Sequence, residues 1–303
     1  MALRIGRAQI ERVAEQHFSV PFTLLTEDRD FIARRISPLP GGFLDPAAMT
    51  FEFSCHSWII RVDSRTVLVD PCNGNGRTRG VPQFDDSDFP YLERLAEIGV
   101  PAESIDIVFC THLHNDHCGW NTMLRKGKWV PTFPNATYLF VDSEYRRWDT
   151  ARAEPHPNDF NVSVFDECVR PIVESGRAEI VAATHSISAS LSLDPATGHT
   201  EGHTMLCLTS EGEHAYFTGD VLHHPAQVSR PELHLGGCDN LETAIATRRS
   251  VCQRISEENA LIFPAHFSAP HYGRITHEAD EYVFVPAGAR GSLGTGVIRV
   301  LSG

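Results

Sequence analysis

The chain has 303 residues, 42% of them hydrophobic and 21% charged, which is the composition of a globular protein with a large core. Its 39 acidic and 26 basic residues give a formal net charge of -13, which disfavours nucleic acid and anionic membranes as partners. Charged residues interrupt the apolar residues of the N-terminal sequence. No apolar run reaches the roughly 20 residues of a membrane span. The eight cysteines form no CxxC pair. We therefore expect a cytoplasmic protein with reduced thiols and no targeting segment.

The predicted elements start with an N-terminal extension, residues 1–48, which carries a short amphipathic helix at 8–16. We expect this extension to pack on the rest of the chain or on a second subunit, with a homodimer as the preferred assembly. The main domain is predicted to span residues 49–303. It begins with an antiparallel meander rich in β-branched and aromatic residues, with predicted strands at 50–55, 58–62 and 66–69.

Helices and strands then alternate, which predicts mixed α/β layers. The later helices are predicted at 88–98, 144–153, 160–175 and 241–257. The later strands are predicted at 105–110, 136–141, 180–183, 187–193, 204–209, 214–218 and 261–263. A Gly-rich tail follows the last of them.

Four ligand-type residues follow directly after the strand at 105–110, in the sequence T-H-L-H-N-D-H. In a turn that leaves a strand, His112 and His114 point the same way, while Asp116 and His117 can turn to a neighbouring point. A chance H-x-H-x-D-H match is rare even with 16 histidines in the chain. We therefore interpret this run as a metal-binding motif rather than as a solvated polar turn.

Three further apolar strands each end near a ligand-type residue: His199 in G-H-T-E-G-H, Asp220 in T-G-D and His266 in P-A-H. The glycines before His199 and Asp220 let the backbone approach closely, as a crowded ion site requires. Asp70, at the end of the strand at 66–69, is expected either to orient a histidine ligand or to hydrogen-bond its own turn.

In this order the motifs resemble those of the metallo-β-lactamase superfamily, over about residues 51–266. The resemblance implies a four-layer αββα sandwich with two metal ions in a groove along one edge. It implies that the first metal is held by His112, His114 and His199, the second by Asp116, His117 and His266, and that Asp220 bridges both. His203 falls on a motif histidine that is usually not a ligand, so we expect it to pack behind the site. Cys118 is not expected to be a ligand, because its neighbours already fill the site.

The chemistry of these residues agrees with that implication. Imidazoles and carboxylates suit Zn²⁺ but also Mn²⁺, Fe and Co²⁺, so the expected cofactor is two divalent metal ions, with zinc preferred. Two metals about 3.5–4 Å apart can hold a bridging hydroxide and polarise the oxygen of an electrophile at the same time. Such a site is catalytic rather than structural, because it leaves coordination positions open.

Two longer strings, H-N-D-H-C-G-W-N-T and G-D-V-L-H-H-P, resemble the branch of N-acyl homoserine lactone lactonases and their organophosphate- and arylester-hydrolysing relatives. The resemblance predicts a hydrolase that opens a lactone or cleaves a carboxylic ester, with Asp116 as a proton shuttle. Many of those lactonases carry a tyrosine three positions after the bridging aspartate, where this chain has His223. A histidine there can donate a proton to the leaving group, or it can be a residue of the loop only.

Other activities of the same fold stay open: a phosphotriesterase, an arylesterase or a thioesterase. A nuclease is disfavoured because the chain lacks a further domain and a basic face, and a β-lactamase because those enzymes are normally exported. A non-enzymatic module is disfavoured because all seven ligand positions are filled. The expected substrate is a small apolar ester or lactone. Candidate pocket walls, which could equally be core, are Trp120, Trp129, Phe133, Trp148 and the stretch near His156.

Overall fold

The structure of the chain, a computed structural model, describes residues 3–149, 161 and 163–288. In chain order its strands are β1 Leu3–Ile5, β2 Ala8–Pro21, β3 Thr50–Val62, β4 Arg65–Val69, β5 Ile107–Phe109, β6 Thr122–Arg125, β7 Lys128–Pro131, β8 Thr137–Val141, β9 Ala178–Val181, β10 Leu191–Pro195, β11 Thr204–Ser210, β12 Glu213–Gly219, β13 Leu261–Pro264, β14 Gly273–Glu278 and β15 Glu281–Pro286. One sheet has the order β1-β2-β3-β4-β5-β8-β9, and a second has the order β10-β11-β12-β13-β14-β15. Strands β6 and β7 form a separate hairpin.

The helices lie in the connections between these strands. In chain order they are α1 Arg29–Phe31, which continues into a π-helical turn at Ile32–Ile36, α2 Tyr91–Glu97, α3 Asn115–Cys118, α4 Asp142–Trp148, α5 Val164–Cys168, α6 Arg170–Glu174, α7 Ala226–Ser229 and α8 Leu241–Glu257. Among the described residues, no helix has the length and apolar character needed to cross a membrane.

The two sheets pack face to face around a shared apolar core. Successive side chains of a strand point to opposite faces, so Val67 and Val69 of β4 point toward the second sheet. There they join Phe217 of β12 and Phe263 of β13 in one buried cluster. Leu68 points the other way and belongs to a different cluster.

Helices cover the outer face of each sheet. Leu95 of α2 and Phe165 of α5 pack in the cluster that holds the outward side chain of Leu68. On the far side, Cys252 and Ile255 of α8 pack against the second sheet. The layers are therefore helix, sheet, sheet and helix, which confirms the predicted αββα class.

Two pairs of parallel strands direct the candidate ligands to one edge. Strand β4 runs parallel to β5, and β12 runs parallel to β13. Asp70 follows β4, Asp220 follows β12 and His266 follows β13. Because the carboxyl ends of parallel neighbours lie at the same edge of a sheet, side chains that are distant in sequence meet there.

The N-terminal helix predicted at 8–16 is wrong. These residues belong to β2, which pairs with β3 along most of its length, from Gln9–Arg61 to Pro21–Thr50. The apolar residues Ile10 and Val13 fit a helical spacing, but pairing with a long neighbouring strand outweighs so weak a local signal. A bulge at Glu15 shifts the register between its two neighbours.

Other predicted elements differ in their bounds. The strands at 50–55 and 58–62 form a single strand, β3, because His56 and Ser57 are buried and paired with β2. The helix predicted at 160–175 is divided into α5 and α6 near Val169, beside Pro171, and residues 160 and 162 lie outside the described part. The predicted tail contains the hairpin β14–β15, whereas residues 289–303 lie outside the described part.

Candidate metal centre

Three histidines and one carboxylate form the first half of the site. Nδ1 of His114 lies 3.0 Å from Nε2 of His112 and 3.0 Å from Nε2 of His199. Oδ2 of Asp220 lies 3.2 Å from Nε2 of His199 and 3.8 Å from Nε2 of His112. The ligand atoms of all four residues lie within 4.8 Å of one another, and all four side chains are buried.

The second half of the site shares Asp220. Its other oxygen, Oδ1, lies 3.0 Å from Nε2 of His266 and 3.2 Å from Nε2 of His117. The two imidazole nitrogens are 3.1 Å apart. Asp116 lies slightly farther out, with Oδ2 at 3.6 Å from His266 and Oδ1 at 3.8 Å from His117. Asp220 therefore presents one oxygen to each group of histidines.

Protein groups behind the site lie next to the outer nitrogens of four of these rings. Such partners fix the orientation and the tautomer of a ligand histidine. The pairs are Nδ1 of His117 with Oδ2 of Asp70 at 3.1 Å, Nδ1 of His266 with the carbonyl of Ser54 at 2.9 Å, Nδ1 of His112 with Oγ1 of Thr111 at 3.1 Å, and Nδ1 of His199 with Sγ of Cys238 at 3.7 Å. These contacts leave Nε2 of each ring facing the interior of the site.

Close backbone packing brings Asp220 into place. Gly219 has a φ of +48°, and a Cβ at this position would lie 2.4 Å from Oγ1 of Thr111. The backbone N–H of Asp220 donates to Nε2 of His203 at 3.1 Å. His203 thus lies behind Asp220 and not among the clustered ligand atoms.

Burial and the surrounding carboxylates shift the pKa values of the site in opposite directions. Burial lowers the pKa of His112 and of His114 well below the usual value, so both rings are neutral. Burial alone would also lower the pKa of His117, but nearby carboxylates, that of Asp220 above all, raise it well above the usual value. Burial would raise the pKa of Asp220, but His117 and other neighbouring histidines hold it well below its ordinary range.

The donor set fits divalent metal ions. Imidazole nitrogens and carboxylate oxygens converge at about 3 Å, and Oδ1 of Asp220 has no hydrogen-bond donor among the described residues. Lone pairs that face one another at this distance repel unless a cation lies between them. His112, His114 and His199 would hold one ion, Asp116, His117 and His266 a second, and Asp220 both.

His223 is buried next to both halves of the site. Its Nε2 is 3.1 Å from Oδ2 of Asp220, and its ring stacks on that of His266 with centroids 5.9 Å apart. The backbone N–H of His223 donates to Oε1 of Gln227 at 2.6 Å. The adjacent His224 points away and donates to the carbonyl of Phe43 at 2.9 Å. Only His223 of this pair faces the site.

Most of the aromatic residues predicted to line the pocket pack away from the candidate ligands. Phe133 is fully buried in the core, and Trp120 stacks on Tyr91 with ring centroids 5.2 Å apart. Trp129 lies under the guanidinium of Arg77. Trp148, by contrast, contacts a candidate ligand: its ring centroid lies 5.5 Å from that of His114. The stretch near His156 lies outside the described residues.

The sulfur of Cys118 does not face the ligand cluster. It lies 3.3 Å from the carbonyl oxygen of His114, to which it donates. The thiol packs in the cluster beneath the motif with Cys168. The expectation that Cys118 is not a ligand agrees with this placement.

The sequence analysis missed Glu144, which joins two of the motifs. Its Oε1 accepts from the backbone N–H of Leu113 at 2.8 Å, and its Oε2 accepts from Oγ1 of Thr200 at 2.7 Å and from the N–H of Gly202 at 3.1 Å. The carboxylate is buried. Nothing in the sequence around Glu144 distinguishes it from the ordinary acidic residue of a first helical turn.

The sequence analysis also missed Glu15, the bulged residue of β2. Its carboxylate accepts from the backbone N–H groups of Asn73 and Gly74 at 3.1 and 2.9 Å, and from Nε1 of Trp120 at 2.7 Å. Oδ1 of Asn73 in turn accepts from Nδ2 of Asn115 at 3.0 Å. The N-terminal strand therefore supports the loop under the H-x-H-x-D-H motif.

Comparison with known proteins gives one family match. A family model described as the metallo-beta-lactamase superfamily matches residues 50–266. Among curated protein sequences none matches the chain.

Several solved structures have the same fold. One, described as hydrolase AbOPH in the beta lactamase superfamily, is 20% identical with a TM-score of 0.77, over 94% of this chain and 96% of that chain. AidC, described as a dizinc quorum-quenching lactonase in complex with a product, is 17% identical with a TM-score of 0.77, over 94% and 96% of the two chains. A probable metal-dependent hydrolase from Staphylococcus aureus is 16% identical with a TM-score of 0.70, over 93% and 98%. At these identities the likeness concerns the fold.

Proposed function

The chain belongs to the metallo-beta-lactamase superfamily of metal-dependent hydrolases, and we propose that it opens lactones or cleaves carboxylic esters with two divalent metal ions. Zinc is the preferred ion among the divalent metals that imidazole and carboxylate donors suit. The two ions would lower the pKa of water to near neutrality and polarise the carbonyl oxygen of the substrate.

The observation that carries the proposal is the position of Asp220 between two groups of histidines. Oδ2 is directed to His199 and Oδ1 to His266. One carboxylate that serves two adjacent cation positions is the arrangement that two-metal hydrolysis requires. The low pKa of Asp220, held down by the surrounding histidines against the effect of burial, keeps it ionised for this role.

Two residues of the chain are proposed to move protons. Asp116 lies at the edge of the second group, and its carboxylate is less buried than that of Asp220. It can accept the proton of the attacking water at one oxygen and pass it on. His223 lies beside Oδ2 of Asp220, where Nε2 can donate to the leaving alkoxide.

The substrate class is supported by the similar structures. AidC is described as a lactonase, and a further structure with the same fold, 14% identical with a TM-score of 0.57, is described as an N-acyl homoserine lactone hydrolase with N-hexanoyl-L-homoserine bound at its metal centre. We propose an N-acyl homoserine lactone or another small apolar ester as the substrate. A phosphotriesterase, an arylesterase or a thioesterase is the alternative, favoured by His223 in place of the tyrosine of many lactonases, because an imidazolium is a stronger acid than a phenol.

Two further proposals concern the protein as a whole. The excess of acidic residues and the absence of a disulfide among the described cysteines support a cytoplasmic location. Apolar residues on the N-terminal segment, among them Leu24 with 58% of its surface exposed, support a homodimer. Light scattering at micromolar concentration that gave the mass of a monomer would contradict the dimer.

The test is a panel of lactones, aryl esters, phosphotriesters and thioesters, assayed with protein loaded with Zn²⁺ or Mn²⁺ and analysed for metal. We expect close to two ions per chain, turnover of lactones or carboxylic esters above that of the other classes, and loss of all turnover after chelation. One ion or none after reconstitution would contradict the two-metal site. Turnover of phosphotriesters or thioesters alone would contradict the substrate class and leave the metal site intact.

A further inference from the structure

A buried cysteine lies beside the second half of the metal centre. Cys55 is in β3, with 1% of its surface exposed. One thiol sulfur, one carboxylate oxygen of Asp116 and one ring nitrogen of His266 lie within 4.8 Å of one another. The adjacent β3 residues also contact His266: Phe53 stacks on its ring with centroids 4.0 Å apart, and the carbonyl of Ser54 accepts from its Nδ1.

The distances among Cys55, Asp116 and His266 suit a shared cation. In a zinc site with a Zn–S distance of about 2.3 Å and Zn–N and Zn–O distances of about 2.0–2.2 Å, neighbouring ligand atoms lie roughly 3–4 Å apart. Asp116 and His266 are already separated by 3.6 Å. The sulfur of Cys55, within 4.8 Å of both, needs to move by about 1 Å or less to complete such a group.

We propose that Cys55 is a thiolate ligand of the second metal ion, together with Asp116, His117, His266 and Asp220. The proposal rests on the two-metal centre of the proposed function and adds a fifth protein ligand to one of its two positions. When the metal binds, the thiol proton is released to solvent and the sulfur forms the bond to the ion.

A thiolate makes the two metal positions chemically unequal. The first position, with His112, His114, His199 and one oxygen of Asp220, offers imidazole and carboxylate only. The second adds a soft sulfur ligand, which favours Zn²⁺ and Co²⁺ over Mn²⁺. A thiolate from Cys55 would therefore make the second position the more selective of the two for zinc.

The first experiment uses the intact protein and needs no variant. X-ray absorption at the zinc edge is measured on the chain loaded with two Zn²⁺. We expect a sulfur neighbour at about 2.3 Å, equivalent to one sulfur for every two zinc ions. Two bound zinc ions with nitrogen and oxygen neighbours only would overturn the assignment of Cys55 and leave the two-metal centre standing. A chain that binds no zinc would overturn both.

The second experiment assigns the sulfur. The Co²⁺-loaded protein is compared with Cys55→Ser, Cys55→Ala and the control Cys252→Ser, which changes an equally buried thiol in α8. We expect a near-ultraviolet thiolate-to-cobalt band in the wild type and in Cys252→Ser, and its loss in both Cys55 variants. Zinc affinity at the second position should fall about 10- to 100-fold in those variants, with the first position unchanged. A band that persists in folded Cys55→Ser, or equal zinc affinities, would overturn the proposal.

Discussion

Oδ2 of Asp70 lies 3.1 Å from Nδ1 of His117. The same carboxylate accepts from the backbone N–H of Thr111 at 2.7 Å and from its hydroxyl at 2.9 Å. Asp70 thus fixes both the start of the H-x-H-x-D-H turn and the ring at its end. A carboxylate behind a ligand histidine orients the ring and raises the basicity of the nitrogen that faces the metal.

Asp70→Asn should weaken metal binding at the second position by about 10- to 100-fold. The amide keeps the shape of the side chain, but its nitrogen cannot accept a hydrogen bond, so the contact with Thr111 or the one with His117 is lost. Competition with a chromophoric chelator measures the affinity of each metal. Asp63→Asn, a change on a distant turn where Asp63 accepts from Ser188 and Ser190, is the matched control and should bind both ions normally.

Asp220→Asn should lower the metal content of the purified protein from two ions to one or fewer. The two oxygens of Asp220 face different groups of histidines, and the amide of Asn keeps one uncharged oxygen, so one position loses its ligand and the other is weakened. Elemental analysis after dialysis gives the content. Asp194→Asn removes a carboxylate that pairs with Arg254 away from the site and should retain two ions. If Asp220→Asn also retained two, the bridging role would be excluded.

His223→Ala should keep both metals and lower kcat/KM by roughly 100-fold or more, the usual effect of losing a general acid. His223→Tyr should recover lactone turnover better than aryl ester turnover, because a phenol with a pKa of about 10 can hydrogen-bond an oxyanion but is a poor proton donor at neutral pH. His224→Asn is the control, since His224 packs against Phe22 and Phe43, and it should reduce stability without this loss of rate. Near-normal rates of His223→Ala on every substrate class would make His223 a residue of loop structure.

Glu144→Gln should reduce the free energy of unfolding by about 1–3 kcal/mol, the cost of leaving a buried donor unpaired. The new amide nitrogen would face either the N–H of Leu113 or that of Gly202, neither of which can accept a hydrogen bond. Urea denaturation measures the change. Glu174→Gln, on the exposed end of α6, should have no measurable effect, and an equal effect of both substitutions would argue against the linking role of Glu144.

Glu15 predicts a dependence of stability on pH. Burial raises the pKa of Glu15, only partly opposed by its hydrogen bonds from Asn73 and Gly74. The folded chain therefore binds this proton more tightly than the unfolded chain, whose glutamates titrate at about 4.3. The contribution of Glu15 to stability is thus greatest below that pH and falls as the pH rises toward the folded pKa.

Glu15→Gln has no carboxyl group to titrate and therefore lacks this decrease in stability at higher pH. The free energy of unfolding of the wild type minus that of Glu15→Gln should decrease as the pH is raised from about 4 to 7. Urea denaturation at a series of pH values measures the difference, with the exposed Glu103→Gln as the control. A difference that stayed constant or increased would contradict the raised pKa of Glu15.

The parts of the site that lie within one motif could be found from the sequence. His112 and His114 belong to one turn after a buried strand, and the glycine before Asp220 signals the close approach to Thr111 that the structure contains. The layer order also followed from the motifs, since it is implied by the family that they resemble. These features depend on residues that are close together in the chain.

The rest depends on contacts between distant segments. The pairing of β2 with β3 replaces the predicted helix, because hydrogen bonds to a neighbouring strand outweigh the weak local preference of residues 8–16. Cys55 and Glu144 lie in segments without any motif, and their proximity to His266 and Gly202 exists only after folding. A single sequence carries no local signal for either.

The carboxylate of Glu144 holds the amide hydrogens of Leu113 and Gly202 at the same time. Neither amide can exchange with solvent unless this side chain moves, and moving it releases both turns that carry candidate ligands. Hydrogen exchange at the two positions therefore reports one opening event with one free energy, although they belong to different halves of the sandwich. The turns that carry Leu113 and Gly202 are therefore expected to open together when the side chain of Glu144 moves.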